Sequence, residues 1–333
     1  MGSRVRFIDV GLNLTDPVFR GLHRGKKKHQ DDIQDVIRRA NAAGVKSAIL
    51  TGGSLHESSE ALELAAQFGY YATVGCHPTR SSQFDSFKGG PEAYLERLDQ
   101  LIASHLTGKG RCVAVGECGL DYDRLHFSPI ATQQKHFRSQ LSLAKKHHLP
   151  LFLHVRAAHD DFVSILREEG FGEDGGRARK WVFNENGSKP RDNKSYTPPS
   201  VDGGNCCQPD KFIEGLLSFL FFYSLQYLNK WSFTGRAVKG RNEPCAVGGV
   251  AWVVASLKNC ELIDVSRAAW NNTVEMYDLH ELMDEEYHND IKTRDAPKDD
   301  PVENGGTVES GAMEVKEVDP KEKKLRTLKK KAS

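Results

Sequence analysis

The feature that most limits the fold is an alternation repeated five times between residues 5 and 170. Each unit is a short β-prone apolar run followed by a longer segment with helical spacing. The runs lie at 5–10, 45–50, 70–76, 111–116 and 150–155, and the helical patterns at 31–43, 56–68, 91–106, 129–148 and 158–169. In the first helical pattern Ile33, Val36, Ile37 and Ala40 fall on one face; in the fourth, Phe137, Leu141 and Ala144 do so. Consecutive βα units predict a parallel sheet with helices outside it. Two architectures satisfy this: an open doubly wound sheet, or the first five units of a (β/α)8 barrel. No G-x-G-x-x-G occupies the first βα turn and no P-loop follows any run, which weighs against a nucleotide cofactor and the doubly wound reading.

The pattern stops after residue 170. Residues 184–230 carry clusters of Asn, Ser, Pro and Gly, then an apolar run at 216–228. That run is 13 residues long and includes Ser, Gln and Tyr, too short for a membrane span, and no apolar leader opens the chain. Helical spacing returns at 246–257 and 261–277. The expected organisation is a barrel domain over 1–280, with an atypical replacement at about 171–238, and a disordered charged tail over 281–333. Lys+Arg is 46 against Asp+Glu 45, so no whole-chain positive field exists to capture nucleic acid, although a local basic groove remains open. Seven cysteines without a C-x-x-C pair argue against a disulfide framework or a thiolate zinc site, and for a reducing compartment.

In parallel α/β folds the chemistry gathers at the C-terminal ends of the strands. The runs end in Asp9 and Asn13, in His77, in Glu117 and Asp121, and in His154 and Arg156. Carboxylate oxygens beside imidazole nitrogens suit a divalent metal such as Zn, Mn or Mg. An Arg fork and an imidazole suit phosphate oxygens.

Several of these segments match a known pattern: F-I-D-V-G-L-N-L-T-D-P at 7–17, H-Q-D-D at 29–32, V-G-C-H-P-T-R at 74–80, G-E-C-G-L-D-Y-D-R at 116–124 and L-H-V-R at 153–156. With K-G-R-N-E-P-C at 239–245 and N-N-T at 271–273, the chain resembles the TatD family of metal-dependent deoxyribonucleases, in its eukaryotic TatD DNase domain-containing branch. The resemblance implies a (β/α)8 barrel of the metal-dependent hydrolase type, hydrolysis of DNA phosphodiester bonds through a metal-activated water, and one or two divalent ions. It implies Glu117 and His154 as catalytic metal ligands, with Asp9 and Asn13 where bacterial relatives have an Asp-x-His-x-His motif. His77, Asp121, Arg156 and Glu243 match residues lining the substrate cleft.

Two family elements are absent after the fifth run: a ligand His in a His-Ser-Phe-x-Gly strand, and the Asp of a Thr-Asp-Ala-Pro motif. Trp231-Ser232-Phe233-Thr234-Gly235 imitates the first with a residue that cannot ligate metal. Thr293-Arg294-Asp295-Ala296-Pro297 imitates the second in the wrong order, inside the tail. The barrel is therefore expected to be incomplete after its fifth strand, with 184–230 replacing later strands through splicing or a misread gene region. The first functional expectation is a metal-dependent deoxyribonuclease, impaired to the extent that the missing ligands matter, acting in the nucleus or cytoplasm without a membrane. The second is a non-catalytic degenerate barrel that binds nucleic acid or protein. An amidohydrolase-like enzyme on a small substrate is the third.

Overall fold

A computed structural model describes residues 5–171 and 241–283. The elements follow the alternation. β1 (Phe7–Leu12) leads through a small hairpin, β2 (Leu22–His23) and β3 (Lys26–Lys27), to α1 (Ile33–Ala42). Then come β4 (Val45–Leu50), α2 (Leu55–Phe68), β5 (Tyr71–Val74), the short α3 (Ser82–Ser86), α4 (Gly90–Ser104), β6 (Cys112–Asp121), α5 (Ile130–His147), β7 (Leu151–Arg156) and α6 (His159–Glu168). Two further helices, α7 (Val247–Lys258) and α8 (Leu262–Tyr277), lie in the second described stretch. The replacement segment beyond 171, both imitations of the missing motifs, and the tail beyond 283 lie outside the described residues. Among the described residues no single helix is long and apolar enough to cross a membrane.

Local chemistry accounts for the helix ends. The Ser54 side chain accepts a hydrogen bond from Glu57 N at 3.2 Å, satisfying an otherwise unpaired donor at the start of α2. Gly69, with φ 71°, closes the same helix in the left-handed conformation. The spacing of Ile33, Val36, Ile37 and Ala40 buries one face of α1, as the periodicity predicts.

The main sheet runs β1-β4-β5-β6-β7, every neighbouring pair parallel. Each crossover therefore advances one strand in the same direction. A doubly wound sheet would reverse its order at a switch point. The sequential order is that of the first five units of a (β/α)8 barrel. The sheet is also curled: a Cβ on Gly11 of β1 would stand 3.2 Å from Phe152 Cζ of β7, although these are the two edge strands.

Alternate residues serve the two faces of the sheet. Leu50, Ala72 and Val74 join the large core beneath α1 to α6. Ile49, Tyr71 and Val113 instead meet Trp270, Val274 and Tyr277 of α8. α7 sends Ala251 against Phe7, Ala40 and Val45. The last two helices thus pack on the described strands and on α1. Arg6 adds to this seam, with its guanidinium 4.2 Å from the centroid of the Trp270 ring and its amide donating to Ser266 Oγ at 3.0 Å.

One strand differs from the sequence reading in a way that matters for the site. β6 was expected to end at Gly116, since glycine punctuates local structure, but it continues to Asp121. Pairing with β7 carries it there: Cys118 pairs Leu153, Gly119 pairs His154 and Asp121 pairs Arg156. Gly119 has φ +144°, and a Cβ there would sit 1.9 Å from the His154 carbonyl oxygen. Only glycine lets the two strands approach this closely beside His154.

Candidate metal centre

Four predicted site residues meet at the C-terminal ends of β5, β6 and β7. His77 follows β5, Glu117 and Asp121 lie on β6, and His154 lies on β7. His154 is the hub. Its Nδ1 is 2.9 Å from Glu117 Oε1 and 3.2 Å from His77 Nε2, and its Nε2 is 3.3 Å from Asp121 Oδ2. His77 Nε2 stands 3.7 Å from Glu117 Oε1, and the two imidazoles meet edge to face with centroids 4.3 Å apart.

Burial and neighbouring charge set the protonation of two of these groups. Burial pushes the His77 imidazole down to about 4, against the opposing pull of the Glu117 charge. His77 is thus neutral at physiological pH, the form that ligates metals. Burial works against ionised Glu117, yet the His154 hydrogen bond and the nearby imidazoles hold its carboxyl below the usual range. Asp121 Oδ2 is buried and accepts no hydrogen bond among the described residues, despite His154 Nε2 at 3.3 Å. Its charged neighbour is Arg124, whose Nε stands 3.7 Å away, and a buried carboxylate oxygen with no hydrogen bond of its own can accept a cation. One ligand atom each from His77, Asp121 and His154 lie within 4.8 Å of one another. Two imidazole nitrogens and a carboxylate oxygen, with Glu117 adjoining, suit a divalent ion of the Zn or Mn kind. The residues present therefore fit the metal that the resemblance implies.

Supporting groups that the sequence reading missed hold this arrangement. Thr79 holds His77 Nδ1 with its amide at 3.2 Å and its hydroxyl at 2.7 Å, which turns Nε2 towards His154 and Glu117; ligation through Nε2 needs the tautomer in which Nδ1–H donates to the Thr79 hydroxyl. On α5, Gln133 accepts from Asp121 N at 2.8 Å and donates to Asp121 O at 2.9 Å. Seven residues along the same helix, Gln140 accepts from Cys76 N at 2.6 Å and donates to Cys76 O at 3.1 Å. Both amides are buried, and each grips the backbone at or beside a ligand. Their sequence signal is two glutamines one heptad apart on the buried face of the helix, among Phe137, Leu141 and Ala144.

The other predicted residues stand elsewhere. Asn13 accepts a hydrogen bond from Thr15 Oγ1 at 3.1 Å within the loop after β1. Arg156 pairs with Asp123 Oδ2 at 2.8 Å. Glu243, expected at the substrate cleft, is buried in an ion-pair cluster: Arg39 Nε reaches its Oε2 at 2.7 Å and Arg241 Nη2 its Oε1 at 2.7 Å. Charge pairing with two arginines occupies the carboxylate, and the structure does not bring it into the metal group.

Asp9, on β1, is outside the three-residue metal group, and burial pushes its carboxyl up to about 6. A raised carboxyl pKa means that the folded state holds the proton longer than the unfolded chain does. The contribution of Asp9 to the stability of the metal-free protein is then greatest below about pH 4 and is lost as pH rises through about 6. Asp9→Asn in chelator is expected to raise the melting temperature by several degrees above pH 6 and to leave it unchanged near pH 4. Melting curves across that range check this, and a pH-independent difference would sink it.

Comparison with known proteins agrees with this geometry. A family model described as TatD related DNase matches residues 8–185. "Deoxyribonuclease Tat-D" of Schizosaccharomyces pombe is 36% identical over 303 residues, covering 82% of this chain and 96% of the relative. "3'-5' ssDNA/RNA exonuclease TatD" of Salmonella typhimurium is 38% identical over 159 residues; the match spans 47% of this chain and about half, 53%, of that protein. Among solved structures, an uncharacterized amidohydrolase from Saccharomyces cerevisiae superposes with a TM-score of 0.61 at 26% identity, over 82% of this chain and 100% of the other. A TatD family hydrolase from Entamoeba histolytica, at 22% identity and a TM-score of 0.59, shares the fold. From the motifs at the strand ends, the sequential parallel strands and these matches, the chain belongs to the TatD-related DNase family.

Proposed function

We propose that this protein is a metal-dependent deoxyribonuclease that hydrolyses DNA phosphodiester bonds. The observation that carries the reading is the convergence of His77, Glu117, Asp121 and His154 at three adjacent strand ends of a chain from this family. His77, Asp121 and His154 would hold the ion, with Glu117 beside it. A divalent ion bound there supplies Lewis acidity, lowering the pKa of a water and offsetting charge on a phosphoryl oxygen. Glu117, kept ionised, orients His154 through their hydrogen bond. Arg156, on the strand that carries His154, is the cation we assign to the phosphate, exchanging its Asp123 partner for substrate. Free thiols at all five described cysteines support a reducing, intracellular setting, nuclear or cytoplasmic, as part of the same proposal.

The test is digestion of single-stranded and duplex DNA by the full chain with Mg²⁺, Mn²⁺ or chelator, beside Glu117→Ala. Cleavage that needs metal, and that falls by about 100-fold or more in the variant, is the expected result. Absence of cleavage by demonstrably folded protein would overturn the reading in favour of a barrel that only binds.

A further inference from the structure

The sequence between Asp16 and Asp31 contains five cations, Arg20, Arg24, Lys26, Lys27 and Lys28, and no acid. In a chain of net charge +1 this is a strong local concentration. The fold shapes it. β2 and β3 pair Leu22 with Lys27 and His23 with Lys26 across a two-residue turn. Both turn residues, Arg24 and Gly25, have positive φ, 49° and 72°, which matches the twist of a tight hairpin. Both strands are exposed.

A lone two-stranded hairpin is marginal in water, so its position depends on its base. The base is tied down. Lys28 N donates to Gly21 O at 2.7 Å, and a Cβ on Gly21 (φ +81°) would come 2.1 Å from His29 O. Arg20 Nη1 reaches Asp31 Oδ2 at 3.1 Å. Arg241 Nη1 donates to Val18 O at 3.2 Å, with its guanidinium 5.2 Å from the centroid of the Phe19 ring.

The parallel sheet sets the direction. The segment after β1 leaves the sheet at the same end as the one after β5, where His77 stands, and as the ends of β6 and β7. Other arginines at that end are partnered: Arg80 with Glu57, and Arg156 with Asp123. Among the described residues Arg24, Lys26, Lys27 and Lys28 form no ion pair. An anchored finger of unpartnered cations, on the face that carries the metal group, is complementary to a polyphosphate backbone. Leu22 is the hairpin's one large apolar side chain, too little apolar surface to seat in a lipid bilayer.

We propose that the 22–28 hairpin is a backbone clamp for the DNA strand, contacting phosphates away from the bond that is cut. The proposal rests on the nuclease reading for its ligand. It assigns the hairpin to affinity and to preference for longer strands, with no part in the chemistry.

The test measures binding of a fluorescent single-stranded oligonucleotide of about 20 nucleotides to the full chain in chelator, across a salt series. Chelator removes cleavage from the readout, so failure of the nuclease reading and failure of this one are separable. Lys26→Ala/Lys27→Ala/Lys28→Ala should weaken binding by about tenfold or more near 0.1 M salt, and lower the slope of log K against log salt by about 2, roughly 0.7 for each lost phosphate contact. Lys135→Ala/Lys146→Ala, on α5, serves as the charge control and should retain wild-type binding. Unchanged melting temperature in the triple variant shows that the fold is intact. Equal affinity and slope in wild type and triple variant would overturn the proposal. So would an equal loss in the control, or loss of binding only to phosphatidylserine vesicles.

Discussion

His154→Ala is expected to abolish metal binding and reduce cleavage more than any other single change. Among the described residues His154 is the side chain that approaches Glu117, His77 and Asp121 together, at 2.9, 3.2 and 3.3 Å. Removing it deletes a ligand nitrogen and also the group that orients Glu117. Loss of a residue that only supports a ligand commonly costs about 10- to 100-fold in metal affinity or activity, and loss of a ligand should exceed that. Because such groups act as a unit, His154→Ala combined with Glu117→Ala should be little worse than His154→Ala alone. A second readout is independent of turnover. An ion that binds only the folded state, present at about 100 times its Kd, stabilises by about 2.7 kcal/mol. Wild-type protein should therefore melt higher in Mn²⁺ than in chelator, and the variant should melt at the same temperature in both. A variant that keeps the Mn²⁺ shift would show that the ion sits elsewhere.

Arg241→Ala should be among the most destabilising substitutions outside the metal group. The Arg241 guanidinium is buried; it donates to Asp32 Oδ1 at 2.8 Å and Oδ2 at 2.7 Å, to Glu243 Oε1 at 2.7 Å and to Val18 O at 3.2 Å. The Arg241 hydrogen bond holds the Asp32 carboxyl below its usual range despite partial burial. Arg39 bridges the same two acids from α1. Truncating Arg241 leaves two carboxylates sharing one cation, and breaking a buried pair in this way costs about 3–5 kcal/mol. Arg241→Lys should recover only part of the loss, since an ammonium cannot serve two carboxylates and a carbonyl with the geometry of a planar fork. Urea titration of the three proteins checks both statements. A loss under about 1 kcal/mol for Arg241→Ala would mean that Arg39 alone satisfies the cluster. The cluster also gives Glu243 a use that differs from the cleft role its motif suggested: with Arg241 it ties the segment before α7 to α1 and to the loop after β1.

Much of this architecture could be read from the residues in order. Helical spacing at Ile33, Val36, Ile37 and Ala40, the cap at Ser54 and the stop at Gly69 are local matters, decided within a turn or two of the chain. Alternating units predict parallel strands, and parallel strands put His77, Glu117, Asp121 and His154 at one end. Tertiary structure had to decide what depends on partners far away in sequence. β6 runs past Gly116 because β7 offers it a ladder, and no local signal announces that ladder. Gln133 and Gln140 look like ordinary polar helix residues until the backbones of Asp121 and Cys76 arrive beside them. The difference between an acid beside the proposed metal group and a structural carboxylate is of the same kind. Glu117 and Glu243 sit in equally suggestive motifs, but one meets two imidazoles and the other two arginines. The sequence by itself determined the elements, because periodicity and capping act over a few residues. Only the folded chain decided the strand order, the reach of β6 and the charge environment of each acid, because these are set by neighbours that the linear order does not place.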